Sequence, residues 1–303
     1  MNERHELDVQ PTHEVPIIII ERDDETDAGL ITSAPTPQRG GRFKKIALAL
    51  LLALGCISVV VGYKVWAYYY GIAIPISVTP SENIEKLAAP KVDEPAFVAM
   101  TSDSILGVAL DMYAIHGLAG SIEFQEPDTA DASVFLYCRA SDFTAEGKYL
   151  GSLVSHGKVY ADNASRLGYM AMANGNNVIG FSRRESVMAY VKERGGSYFR
   201  QFVLVSDGQL PPRFYLHGKV ERCAIGRMGD RLYYITSRHK ESMWSFADAL
   251  REYGFIDAIY ITGGRDYSFY RDAQGTRFDI HDPADYPHKK WAGTMPWLVF
   301  RKQ

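Results

Sequence analysis

The feature that most constrains this chain is one long run without charged residues. Residues 46–63 are uncharged and mostly apolar, Lys64 follows, and residues 65–70 include one tryptophan and three tyrosines. Eighteen uncharged residues nearly span the hydrocarbon core of a bilayer as a helix, and a lysine and aromatic rings extend such a helix into the interface. The sequence therefore predicts one transmembrane helix over residues 46–70.

Basic residues flank this run unequally. Four of them precede it closely, whereas only Lys64 closely follows it; the four are Arg39, Arg42, Lys44 and Lys45. The positive-inside rule then places the N terminus in the cytoplasm. No small-residue cleavage site follows the run, so we expect a retained signal anchor and an exported C-terminal part, which is periplasmic in a Gram-negative cell envelope.

The composition changes along the chain and divides it into four parts. Residues 1–45 are polar and acidic with a basic collar, which predicts a disordered cytoplasmic tail. Residues 46–70 are the span, and residues 71–95 have the Pro and Ala content of a linker. We expect residues 96–303 to form one exported domain. A lesser hypothesis makes the acidic tail a docking segment for a cytoplasmic partner.

The exported part has the pattern of an α+β fold with a mixed, largely antiparallel sheet and packed helices. Helices are predicted over residues 103–118, from a capping box of Ser182 with Glu185 to Gly195, and over residues 240–253. Short β-branched and aromatic runs separated by turn residues predict strands. These runs are residues 133–139, 149–155, 168–173, 177–181, 197–205, 220–226, 231–236, 255–261, 266–271 and 297–301.

Charge and motifs exclude several classes of function. A net charge of -3 gives no attraction for nucleic acid. No motif with metal-ligand spacing, phosphate-binding loop or nucleophile elbow occurs, so we predict no metal and no cofactor. Cys138 and Cys223 fall in the exported part, where they could pair, although two separate buried thiols are the favoured interpretation.

Two segments point to a ligand pocket. Arg222 lies within the short apolar run 221–226, and a buried arginine needs either an anionic partner or a polar cleft. Gly263 and Gly264 directly follow an apolar strand, where glycine lets the backbone approach a ligand closely. Since one helical stretch separates the two segments, they could line one pocket. A structural salt bridge and a tight turn are the alternatives.

Several segments carry a resemblance to a known family. The strand 222–226, with the sequence Arg, Cys, Ala, Ile, Gly, resembles the Arg, Thr, Ala, Ile, Gly strand of the phosphodiester glycosidase family. Residues 231–264 resemble the closing sequence of that family, and residues 196–201 resemble a marker of a divergent bacterial branch. The resemblance spans residues 135–272. It implies hydrolysis of a glycosyl phosphodiester or a related envelope glycan linkage.

The resemblance also implies roles for single residues. Arg222 or Arg200 is matched to a phosphate-holding cation, and Asp142 and Asp266 are the carboxylates near family-matched positions, hence the candidate acid and base. Gly263 and Gly264 complete the candidate substrate site. Two positions depart from the family pattern: Thr262 stands in place of Asp, and residues 140–142 stand in place of Asn, Gly, Gly. The departures support a second hypothesis, a catalytically inactive glycan-binding or envelope scaffold module.

Overall fold

A computed structural model of the chain describes residues 40–70, 80–144, 147–212, 214, 216, 218–264, 267–281 and 295–303. The predicted tail lies outside the described residues except for its basic end. The helices are α1 Gly40–Tyr70, α2 Ile84–Ala88, α3 Ser186–Glu193 and α4 Met243–Tyr253. The strands are β1 Phe97–Ile105, β2 Val108–His116, β3 Ala119–Glu123, β4 Val134–Arg139, β5 Leu153–Ser155, β6 Lys158–Ala161, β7 Gly168–Ala173, β8 Asn176–Phe181, β9 Ser197–Gln201, β10 Val203–Val205, β11 Arg222–Met228, β12 Arg231–Ser237, β13 Asp257–Gly263, β14 Phe269–Arg271, β15 Arg277–Asp279 and β16 Trp297–Arg301.

Helix α1 carries the apolar run. Its segment Lys44–Val65 has a mean hydropathy of 2.5 and exposed side chains. Length and composition thus make this segment suitable for crossing a membrane as a single-pass anchor.

The other described elements form an α+β fold with three sheets. Their strand orders are β1-β2-β12-β11-β13-β10, β15-β14-β4-β16-β3 and β6-β5-β9-β7-β8. The paired strands of all three sheets run antiparallel. The fold class predicted from the sequence is confirmed.

The apolar faces of the three sheets supply the largest core cluster. It joins Leu136 and Leu298 of one sheet, Phe199 of another, and Ile225 and Ile259 of the third. Helix α4 covers the outer face of the six-stranded sheet, and α3 covers the sheet that contains β9. Helix α4 begins at Ser242, whose hydroxyl accepts a hydrogen bond from the Ser245 amide, and ends at Gly254 in the left-handed conformation.

Two local predictions are wrong. The predicted helix over residues 103–118 is the hairpin of β1 and β2, which turns at Leu106 and Gly107 with φ of 52° and 79°. The predicted capping box is also absent: Glu185 occupies the N-cap of α3 without a side-chain hydrogen bond. The hydroxyl of Ser182 instead accepts from the Arg184 amide.

Residues 80–95, which we expected to belong to a linker, lie against the domain. Ser81 pairs with Phe181, and Leu87 is fully buried. Glu94 accepts hydrogen bonds from Arg231 and from the backbone amide of Gly117. The folded region therefore begins upstream of residue 96. Cys138 and Cys223 are both buried thiols with no disulfide between them.

Candidate functional site

The candidate site lies where three strands end. Arg222 begins β11 and is paired with Gly263 at the end of β13, while Asp142 follows the end of β4. The pairing of β11 with β13 is irregular, since Cys223 is opposite Thr262 and Ala224 is opposite Tyr260. Ile261 is thus the extra residue of a β-bulge, a feature that redirects side chains beside a site.

Asp142 is held in place and still reachable. The Thr262 hydroxyl donates to its Oδ1 at 2.8 Å, and the nearest Arg139 guanidinium nitrogen lies 3.9 Å from the same oxygen. The Asp142 side chain is 26% exposed. The carboxylate is therefore fixed in orientation by a neutral donor and remains accessible to a ligand.

Arg222 is buried, and its N–H groups donate hydrogen bonds to neutral oxygens. Its Nε donates to the Glu241 carbonyl at 3.0 Å, its Nη2 to the Gly218 carbonyl at 2.9 Å, and its Nη1 to the Tyr260 hydroxyl at 3.4 Å. In the part of the chain that the structure describes, it makes no ion pair with a carboxylate. The positive charge is thus oriented by the fold without being neutralised there.

Tyr260 follows Ile259 in β13, and its hydroxyl accepts a hydrogen bond from this arginine. Burial raises the pKa of its hydroxyl, the Asp142 charge raises it further, and Arg222 lowers it. Arg222 hydrogen-bonds to the Tyr260 hydroxyl, and Asp142 is hydrogen-bonded to Thr262, two residues further along β13, so Asp142, Tyr260 and Arg222 belong to one site. We call Arg139, Asp142, Arg166, Arg222, Tyr260 and Thr262 the Asp142 cluster.

Arg166 belongs to this cluster and was missed by the sequence analysis. It lies between β6 and β7, is 7% exposed, and stacks on the Phe202 ring with 4.0 Å from the guanidinium carbon to the ring centroid. Burial lowers the pKa of Arg166, and the charge of Asp142 partly offsets this shift. An arginine directly before the apolar strand Gly168–Ala173 is a signal similar to the one that identified Arg222.

Arg200 is placed differently from the other predicted site residues. It is 1% exposed, and its guanidinium donates to the carbonyls of Arg166, Ser182 and Arg184. These contacts brace the chain that carries Arg166. The assignment of Arg200 to substrate binding stays a prediction, since its described hydrogen bonds are with backbone carbonyls.

The glycine pair lies at the edge of the cluster. A Cβ on Gly263 would come within 2.6 Å of the Tyr260 hydroxyl, so this position requires glycine for close packing. Gly264 has a φ of +97°, and its amide donates to the Glu221 carbonyl at 2.9 Å. Their role in substrate binding stays a prediction.

Two further predictions concern the chemistry of the site. Asp266, the second candidate carboxylate, lies outside the described residues. Among the residues that are described, no group of three or more His, Cys, Asp or Glu side chains is arranged to hold a metal ion.

Sequence comparison with models of known families finds no match, and comparison with curated proteins finds none either. Among solved structures, the chain is similar to the zebrafish N-acetylglucosamine-1-phosphodiester alpha-N-acetylglucosaminidase catalytic domain, auto-inhibited by its pro-peptide. That match has 12% identity and a TM-score of 0.49, and it covers 76% of this chain and 89% of that one. The chain is also similar to a hypothetical protein from Synechocystis, with 11% identity and a TM-score of 0.51. The match covers 70% of this chain and 64% of the Synechocystis chain, and it shows a shared fold.

Proposed function

We propose that this protein is a membrane-anchored, extracytoplasmic hydrolase of a glycosyl phosphodiester or a related envelope glycan linkage. The observation that carries the proposal is the hydrogen bond between Thr262 and Asp142 at 2.8 Å. These residues stand at the two positions where the sequence departs from the phosphodiester glycosidase pattern. Since the two side chains touch, the carboxylate lost at 262 is replaced by one at 142 in the same place.

The reaction needs an acid, a base and a positive charge. Water attacks the anomeric carbon, the bond from that carbon to the phosphate oxygen breaks, and the products are a free sugar and a phosphate monoester. One carboxylate takes the proton of water, and the other gives a proton to the leaving oxygen where that is required. We assign these two roles to Asp142 and Asp266, and Arg222 supplies positive charge to the phosphate.

Asp142→Asn tests the proposal on the full chain purified in detergent. A panel of glycosyl methyl phosphodiesters serves as substrate, and release of free sugar is measured. A general acid or base contributes about a hundredfold or more to rate, so we expect D142N to lose at least that factor in kcat with an unchanged unfolding temperature. Wild-type turnover by D142N would contradict the assignment.

A double variant tests the replacement of one carboxylate by the other. Asp142→Asn combined with Thr262→Asp removes the carboxylate at 142 and returns a carboxylate to 262, the position where the family has Asp. We expect it to recover part of the activity lost in D142N. Thr262→Asp alone is the matched control, because it places a second carboxylate against Asp142 and should not raise the activity above that of the wild type.

The second candidate function is a glycan-binding or envelope scaffold module without catalysis. It is favoured by Thr262 itself, which is a neutral side chain where the family has a carboxylate. Saturable binding of a glycosyl phosphodiester with no sugar release by the wild-type chain would support this function. Sugar release by the wild type that is lost in D142N would exclude it.

A further inference from the structure

Arg166 is a buried cation that has no hydrogen-bond or ion-pair partner among the described residues. Its Nε is buried without a hydrogen-bond partner, and no described side chain accepts a hydrogen bond from its guanidinium or forms an ion pair with it. Arginine stays protonated in proteins, so burial cannot neutralise it. A charge buried in this way costs several kcal/mol unless an anion satisfies it.

The structure also holds Arg166 rigidly. The Phe202 ring supports one face of the guanidinium, and Arg200 donates to the Arg166 carbonyl at 3.1 Å. Arg200 is itself fixed by two other carbonyls. A guanidinium that is fixed in one plane and has N–H groups without acceptors can donate two parallel hydrogen bonds to two oxygens of a phosphate group.

The position of Arg166 connects it to the Asp142 cluster. The Phe202 ring beneath it lies 6.5 Å from the Tyr260 ring, and the Phe202 carbonyl accepts a hydrogen bond from the Tyr260 amide at 2.8 Å. Arg222 lies by the same Tyr260 ring, with 5.6 Å between the guanidinium carbon and the centroid. Arg166 and Arg222 thus contact two neighbouring rings, and Asp142 is hydrogen-bonded to Thr262 in the strand that carries one of them.

The charges of this cluster do not balance among the described residues. Arg139, Arg166 and Arg222 bring three positive charges, and Asp142 brings one negative charge. Burial lowers the pKa of Arg166, and the Asp142 carboxylate counteracts this effect without forming an ion pair with it. The two buried arginines, Arg166 and Arg222, form no ion pair with a described carboxylate, and their charge favours an anionic ligand over a neutral sugar.

We propose that Arg166 is the residue that grips the phosphoryl group of the ligand, with Arg200 as its positioning residue. This inference rests on the proposed function for the identity of the anion as a phosphodiester. Arg166 is the better candidate because its side-chain N–H groups make no hydrogen bond to a described residue. Arg222, in contrast, already donates three of its five N–H groups to protein oxygens.

The test measures anion binding and needs no turnover. The full chain in detergent is titrated calorimetrically with dimethyl phosphate, inorganic phosphate, acetate and N-acetylglucosamine. We expect the wild type to bind both phosphates and to bind acetate and the neutral sugar much more weakly. Arg166→Met keeps the apolar stem over Phe202 and should weaken phosphate binding on the order of tenfold to a hundredfold.

Arg194→Met is the matched control. Arg194 also stacks on an aromatic ring, 5.5 Å from the centroid of Tyr190, but it is exposed and outside the cluster. This variant should bind phosphate like the wild type. The unfolding temperature of Arg166→Met should be unchanged or higher, because the variant removes a buried charge that has no partner.

Three results would overturn the inference: equal phosphate affinity in Arg166→Met and the wild type, no binding of dimethyl phosphate by the wild type, or acetate binding as tight as phosphate binding. The proposed function fails separately. Phosphate binding that depends on Arg166, together with no sugar release by the wild type, would support the inference and contradict the hydrolase. Sugar release by the wild type, together with unchanged phosphate binding in Arg166→Met, would support the hydrolase and contradict the inference.

Discussion

Two groups of charged residues in this protein differ in charge balance and burial. In the first, which we call the Arg301 network, Arg301 donates to both carboxylate oxygens of Glu123 at 3.1 Å and to Asp131 at 2.5 Å. One cation there meets two carboxylates. The Asp142 cluster instead brings three arginines to one described carboxylate, with Arg166 and Arg222 buried.

The pKa shifts follow the same division. In the Arg301 network, hydrogen bonds from Ser133 and Arg301 lower the pKa of Asp131 to about 2, and Glu123 raises the pKa of Arg301. Partners therefore stabilise both charged forms. In the Asp142 cluster, burial lowers the pKa of Arg166. The first group fastens β16 to β3 and to the loop before β4, whereas the second has the electrostatics of a binding site.

The largest expected effect on stability comes from Arg200→Met. The substitution leaves three backbone carbonyls without their donor, and each buried unsatisfied group costs about 1–3 kcal/mol, so we expect a loss of about 3 kcal/mol or more. Thermal or denaturant unfolding of the full chain measures it. A loss no greater than that of Arg194→Met would show that Arg200 braces nothing.

Gly263→Ala should cost about 1–3 kcal/mol, because its Cβ would overlap the Tyr260 hydroxyl and approach Val220 within 2.9 Å. The shifted Tyr260 should also weaken phosphate binding. Gly264→Ala is the comparison: nothing lies within 4 Å of its Cβ, so only the positive φ is strained, at about 1 kcal/mol. Equal effects of the two variants would argue against close packing at Gly263.

Breaking the Arg301 network should affect stability and leave the site alone. Arg301→Leu removes two ion pairs whose side chains are 22–39% exposed, so solvent screening limits the loss to about 1 kcal/mol, and high salt should reduce it further. Phosphate titration should match the wild type. Weaker phosphate binding in this variant would remove the distinction between the two groups.

The smallest expected effect is a pH dependence from Asp131. Its folded pKa is lowered from 3.8 to about 2, so its contribution to stability is present above pH 4 and is lost as the pH falls towards 2. In Asp131→Asn this part of the acid destabilisation should be missing. Unfolding temperatures measured from pH 5 to pH 2 compare the variant with the wild type, and identical curves would contradict the assignment.

Much of the fold was predictable because local patterns agree with it. The strand predicted over residues 168–173 matches β7, and the strand predicted over 297–301 matches β16. The hairpin of β1 and β2 was missed for a physical reason. Its turn places Leu106 at positive φ, where leucine is rare, so the sequence carries no usual turn signal and the apolar spacing resembled a helix.

The site was only partly predictable. An arginine within an apolar strand indicates burial, which identified Arg222, and the structure places Asp142 against Thr262 in the strand that pairs with β11. The contact between Thr262 and Asp142 joins residues 120 apart in sequence, and no local pattern encodes such a pair. Arg166 was missed because its significance lies in being buried without a hydrogen-bond or ion-pair partner among the described residues. Only the three-dimensional packing reveals this.

The bulge at Ile261 limits how this protein can vary over evolution. Substitutions in β13 change single side chains, but a one-residue deletion there would restore regular pairing and exchange the faces on which its last residues project. Thr262 would then turn away from Asp142. Relatives that keep this site should therefore conserve the length of the segment between Tyr260 and Gly263 even where its side chains differ.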